Sequence, residues 1–156
     1  SFSDSRWLTP EEIQEKDTIE DRNALGFHIP GMWDKILDIK KCHLQADPSN
    51  EMRLFVKRFA IAEGITFFNP RNHTGELRTL MIRTSSNGEY MVLIQFCKNN
   101  ESNRIKLLEA IKNQFPSITS LQYVINQKAN DTIYDQEVIC FSGRDHIIEE
   151  MEGLQF

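Results

Sequence analysis

The stretch from Gly75 to Phe96 limits the folds open to this chain more than any other. It reads Gly-Glu-Leu-Arg-Thr-Leu-Met-Ile-Arg-Thr, then Ser-Ser-Asn-Gly, then Glu-Tyr-Met-Val-Leu-Ile-Gln-Phe. The flanks are rich in the branched, aromatic and long apolar residues that fit a pleated surface. Asn87-Gly88 supplies the two residues of positive φ that a type I′ turn needs. The expectation is a hairpin in which Ser86 faces Glu89, Ile82 faces Leu93 and Leu80 faces Gln95. Apolar residues on both faces predict strands near the middle of a sheet. Arg78 and Arg83 fall on opposite faces of the first strand, because the strand period is two.

Leu25 to Ile39 predicts another hairpin, turning at Pro30-Gly31. Asp47-Pro48 opens a helix with Asp as N-cap and Pro in its first turn. Met52, Phe55, Val56 and Phe59 form its apolar stripe, and Gly64 closes it. Another helix runs to about Phe115 with Ile105, Leu108, Ile111 and Phe115 on its stripe, and Pro116 stops it. Strands follow at 118–125 and 137–141, and a strand or ribbon at 147–156. Hairpins alternating with helices predict an α+β fold with a largely antiparallel sheet and a ferredoxin-like arrangement in its core. Residues 1–23 are polar and acidic. Thr9-Pro10-Glu11-Glu12 there has the form of a capping box, but with little apolar stripe. They are expected to be a flexible surface insertion, with 24–156 as one domain.

Charge is unevenly placed. Residues 22–130 carry 15 basic and 9 acidic side chains, whereas 131–156 carry 1 and 7. A basic centre between acidic ends leaves a nucleic-acid face possible, although charge alone favours ordinary solvated charge. No apolar run reaches membrane-spanning length and no signal-like segment opens the chain. With three widely spaced cysteines and no disulfide framework, a cytoplasmic protein is expected. The chain starts at Ser1 without Met and stops at Phe156 just after an apolar run, so a piece of a larger protein is expected, with an apolar patch near Phe156.

No P-loop, dinucleotide fingerprint or nucleophile elbow is present. Cys42-His43 is the only adjacent pair of soft ligands, and two such residues do not make a tetrahedral site. From the residues alone Cys42 reads as an inert thiol rather than a ligand, since free Cys is commonly buried. Cys97 and Cys140 read as core. Arg71, Arg78 and Arg83 surround the central hairpin's entry, and Asn126, Lys128 and Asn130 fill the loop after the third strand. Arg and Asn at a sheet edge suit phosphate and base-edge contacts, and they suit turn chemistry as well.

Four runs together resemble a known family. They are Leu25-Gly-Phe-His with Ile36-Leu-Asp-Ile-Lys-Lys-Cys-His-Leu; Gly75-Glu-Leu-Arg with Ile82-Arg; Thr119-Ser-Leu with Asn126 and Asn130-Asp-Thr-Ile; and Ile148-Glu-Glu-Met-Glu-Gly-Leu-Gln-Phe. In order and spacing they are similar to the TrmA/RumA family of RNA (uracil-5-)-methyltransferases, from Leu25 onward. The resemblance implies the family's central, RNA-gripping domain. The catalytic domain that binds S-adenosylmethionine would lie outside this chain, and no catalytic residue inside it. It implies RNA as partner, ribosomal (23S) RNA ahead of transfer RNA, and 5-methyluridine as product. It also implies that Cys42 is the fourth ligand of a [4Fe-4S] cluster whose other three cysteines lie upstream. The alternative from the residues alone is a ferredoxin-like small-molecule-binding or subunit-interaction module without catalysis.

Overall fold

The computed structural model describes residues 1–14 and 21–156. The chain divides into two compact units, Ser1–Arg78 and Thr79–Phe156. The division falls next to the central hairpin.

The first unit holds β1 (Phe2–Ser3), α1 (Pro10–Gln14), β2 (Ala24–Leu25), β3 (Phe27–Ile29), β4 (Met32–Leu37) and α2 (Ser49–Ala62). β1 pairs antiparallel with β2, and β3 with β4 across the expected Pro30-Gly31 turn. The capping box forms: Thr9 N–H donates to Glu12 Oε2 at 2.9 Å and Glu12 N–H to Thr9 Oγ1 at 3.2 Å. The described part of 1–23 is nevertheless more than a surface excursion. Phe2 is 2% exposed, Leu8 is buried, and Phe2 meets the Phe67 ring edge-on at 5.1 Å. Two apolar side chains suffice to anchor an otherwise acidic segment. Residues 15–20 of it lie outside the described residues.

α2 begins one residue later than the Asp-Pro signal suggests, with Pro48 at the N-cap and no side-chain cap. Its end follows expectation. Gly64 takes φ +66°, its N–H donates to Ile61 O at 3.2 Å, and Ile65 N–H donates to Ala60 O at 2.9 Å. That double bond is the Schellman closure.

The second unit is built on a four-stranded sheet in the order β5-β6-β7-β8. The strands are β5 (Leu77–Thr84, which starts at the end of the first unit), β6 (Tyr90–Phe96), β7 (Ser120–Ile125) and β8 (Val138–Gly143). α3 (Glu101–Gln114) joins β6 to β7, which pair in parallel. A parallel pair needs such a crossover. β7 and β8 are antiparallel, and so is the terminal ribbon β9 (Glu150–Met151) with β10 (Leu154–Gln155). The class is α+β with mostly antiparallel strands.

The central turn differs from expectation. Ser85 N–H donates to Glu89 O at 3.0 Å and Gly88 N–H to Ser85 O at 3.1 Å. Gly88 has φ +83°, and Asn87 is not among the residues of positive φ. The loop therefore has three residues with Gly88 alone left-handed, and Ser85 rather than Ser86 stands opposite Glu89. Val92 to Phe96 are buried without a break, as a strand covered on both faces requires, whereas β5 is a sheet edge and grows exposed toward Thr84. On α3, Leu107, Leu108 and Ile111 are buried, but Ile105 is exposed and Arg104 takes the inner place. The Arg104 guanidinium lies 5.0 Å from the centre of the Tyr123 ring. Cys97 is buried, but Cys140 is exposed because β8 closes the sheet with its residues open to solvent. Met151, Leu154 and Phe156 are all exposed, so the apolar patch expected near Phe156 is there.

Candidate nucleic-acid interface

In the first unit the alternation of β4 does the positioning. Asp34 and Ile36 point inward and are buried, which puts Trp33, Lys35 and Leu37 on the opposite face. Phe27 stands opposite Leu37 and shares that face. Trp33 is 63% exposed, Phe27 48% and Leu37 37%. Such a group of large apolar residues in one short hairpin marks a contact surface.

Arg71 joins this face from the loop after α2. Asn69 Oδ1 accepts the N–H groups of Arg71 and Asn72, each at 3.0 Å, and so holds the turn. From there Arg71 reaches Asp34 Oδ2 through Nε at 2.7 Å and Nη2 at 2.6 Å. Lys35 Nζ is 3.8 Å from the same oxygen. The hydrogen bond from Arg71 holds the Asp34 carboxyl below the usual range, against the opposing pull of burial. The guanidinium carbon of Arg71 sits 5.9 Å from the centre of the Trp33 ring. An exposed indole beside a clamped planar cation can stack a base and meet a phosphate.

Arg78 does not join this face. It is buried, and its guanidinium lies 4.6 Å from the centre of the Phe68 ring. Cys42 is buried in the loop between β4 and α2. Asn50 Oδ1 accepts its N–H at 2.7 Å, and Asn50 Nδ2 donates to its carbonyl at 3.1 Å and to Gln45 O at 3.3 Å. Arg53, 7% exposed, donates to Leu25 O, Ile39 O and Lys40 O. Among the described residues no group of three or more His, Cys, Asp and Glu could hold a metal ion. One thiol cannot hold a four-iron cluster, so the donors present do not fit that group by themselves.

In the second unit Asn126 is fully buried and organises its own loop. Its Nδ2 donates to Asn130 O and Thr132 O, both at 3.1 Å, and its Oδ1 accepts Lys128 N–H at 3.0 Å. Asn130 Oδ1 accepts Thr132 N–H and Oγ1–H. Lys128 pairs with Asp135, and that contact holds the Asp135 carboxyl low. Lys128 and Asn130 remain at the surface, and Tyr134 beside them is 98% exposed.

Arg83 lines a surface cavity of about 420 Å³ with Thr84, Met91, His146, Ile147 and Glu149. The segment forming one wall is strapped down by two carboxylates. Glu89 accepts Ile148 N–H at 2.8 Å and pairs with Arg144. Glu149 accepts Ser86 N–H at 3.1 Å. These contacts, led by the Ile148 amide for Glu89 and by Ser86 for Glu149, hold both carboxyls below their usual range.

No protein-family model matches the chain. A protein of Porphyromonas gingivalis named uncharacterized RNA methyltransferase is 54% identical over 161 residues, which take in all of this chain and 35% of that protein. The chain is homologous to a segment of proteins of that name. A second such RNA methyltransferase, from Bacteroides thetaiotaomicron, is 49% identical over 160 residues, again all of this chain and 35% of the relative. The chain spans about a third of the length of these RNA methyltransferases. Their name agrees with the resemblance drawn from the four motif runs. The solved structure of Pyrococcus abyssi tRNA (uracil-54, C5)-methyltransferase, in complex with S-adenosyl-L-homocysteine, shares the fold of this RNA-methyltransferase homologue. The match has a TM-score of 0.64 and 23% identity, over 80% of this chain and 30% of that one.

Proposed function

We propose that this chain is the RNA-recognition segment of an S-adenosylmethionine-dependent RNA (uracil-5-)-methyltransferase, a cytoplasmic enzyme that forms 5-methyluridine in 23S ribosomal RNA. The observation that carries this reading is the 54% identity, along the whole chain, to an RNA methyltransferase. The likeness of fold to a uracil-5 enzyme supports the choice of base. S-adenosylmethionine supplies the methyl group, and its site is assigned to the part of the parent outside this chain. The role of this segment is to bind and orient RNA. Arg71, Arg83, Lys128 and Asn130 are the surface residues proposed to touch it. Arg78 and Asn126 act from the interior by fixing the loops that carry the others. Cys42 is the one residue that the family resemblance ties to a [4Fe-4S] centre. No residue here is given a catalytic role.

The test uses the full-length parent with methyl-labelled S-adenosylmethionine and unmodified ribosomal or transfer RNA, followed by digestion to nucleosides. Label in 5-methyluridine from 23S RNA is expected. Label in transfer RNA alone would correct the substrate. Label in neither RNA, or in another nucleoside, would overturn the reading.

A further inference from the structure

We infer that Trp33 is a stacking platform for one unpaired base of a single-stranded RNA segment, with Arg71 held beside the ring by Asp34 to meet the adjoining phosphate. The inference rests on the RNA-recognition reading and adds to it a site, a contact type and a strand class.

Three observations converge. A large aromatic side chain in the body of a strand is ordinarily covered, yet Trp33 stands open on a face it shares with Phe27, Lys35 and Leu37. The only carboxylate within the strand, Asp34, is on the other side and is already committed to Arg71. Its charge therefore orients a cation and leaves the outer face without a free anion of its own. The loop that continues from β4 adds Lys40 and Lys41, both exposed, on a backbone pinned by Arg53 at Ile39 O and Lys40 O.

The chemistry favours single-stranded RNA over other occupants. An indole flanked by a guanidinium and ammonium groups matches a base carrying an anionic backbone. A duplex hides its base faces and offers an indole nothing to stack on, only groove edges, sugar hydroxyls and phosphates. A protein partner would need acidic and apolar groups in the same arrangement, and is the outcome against which the test discriminates.

The experiment titrates the chain with a short single-stranded oligoribonucleotide, and with the same sequence as a duplex. A W7F background leaves Trp33 as the sole indole. Quenching of Trp33 by the single strand and tighter binding of that strand than of the duplex are expected. W33A should weaken single-strand binding roughly 5- to 150-fold, W33F should restore most of it, and K112A, at an exposed position of α3, should leave it unchanged. Trp33 is exposed, so loss of folding does not stand between the variant and the answer. Binding of RNA by wild type that W33A leaves unaltered would overturn the platform while leaving RNA recognition intact. Failure of the wild type to bind any RNA at low salt would overturn both. Unaltered binding together with Trp33 shielded from a soluble quencher in the full-length parent would give this face to an internal contact instead.

Discussion

The Asp34 carboxylate accepts one hydrogen bond from Arg71, from Nε–H to Oδ2 at 2.7 Å, and Arg71 Nη2 forms an ion pair with the same oxygen at 2.6 Å. Asp34 lies on the buried face of β4 and Trp33 on the open one, so one ion pair couples the interior of the hairpin to its contact surface. Its folded-state pKa is depressed. A group of that kind contributes stability that is complete above its unfolded value, roughly 3.9, and that is lost as pH falls through the lower folded value. The Arg71 Nε–H and Trp33 indole N–H resonances should therefore hold steady from neutral pH down to about 4 and move together below it. A shift centred near neutrality would assign the coupling to another group.

Asn50 makes three hydrogen bonds to backbone groups of the Cys42 loop from a buried position. Asn50→Ala leaves the Cys42 N–H without its acceptor, at a cost of about 1–3 kcal/mol. Urea unfolding should show that loss, and the Cys42 thiol should react faster with a thiol reagent. Unchanged stability would mean that water or a loop rearrangement replaces the side chain.

Gly75 has φ +98°, and a Cβ there would stand 2.1 Å from the Phe67 carbonyl oxygen. Both the left-handed backbone and the close approach to the Phe67 backbone forbid a side chain. Gly75→Ala should cost more than about 1 kcal/mol and lower the melting temperature. Gly64→Ala also changes a left-handed residue, but meets nothing within 4 Å, so the smaller loss is expected there.

Glu89 ties the 144–148 segment to the central hairpin through Ile148 N–H and Arg144. In Glu89→Ala the amide of Ile148 should exchange with solvent faster, while β6 and β7 stay protected. Acidification should act in the same direction, since the depressed Glu89 pKa confines loss of the contact to pH below its ordinary value, roughly 4.3. Because the segment forms one wall of the cavity beside Arg83, Glu89→Ala should also weaken any RNA contact made by Arg83.

Element type was readable in the sequence wherever local rules decide it. Pro30-Gly31 set a turn, Gly64 a helix end and Pro116 a helix stop, each through backbone geometry that few residues share. Strand order was less readable: hairpin, helix and strand in succession leave open whether β7 returns parallel to β6, and only the length of α3 hints at it. Surface placement of the candidate residues was readable in part. Arg71, Arg83, Lys128 and Asn130 are at the surface, as polar loop and edge residues suggest. Asn126 and Arg78 are inside, because one satisfies three backbone groups and the other lies against an aromatic ring. Arg53 reads as an exposed helix residue until the three carbonyls converging on it are known. Trp33 carries no distinguishing signal in the sequence, because an aromatic residue in a strand looks like core. Its exposure depends on what covers that face, which the alternation of β4 does not say.

The central claim is that this chain recognises RNA, and binding as a function of salt tests it most directly. Affinity for an unmodified ribosomal RNA fragment should be measurable at low salt and should fall linearly on a log–log plot as salt rises, in proportion to the phosphates contacted. Arg71→Ala should make that slope shallower. No binding at low salt, or binding indifferent to salt, would contradict the account.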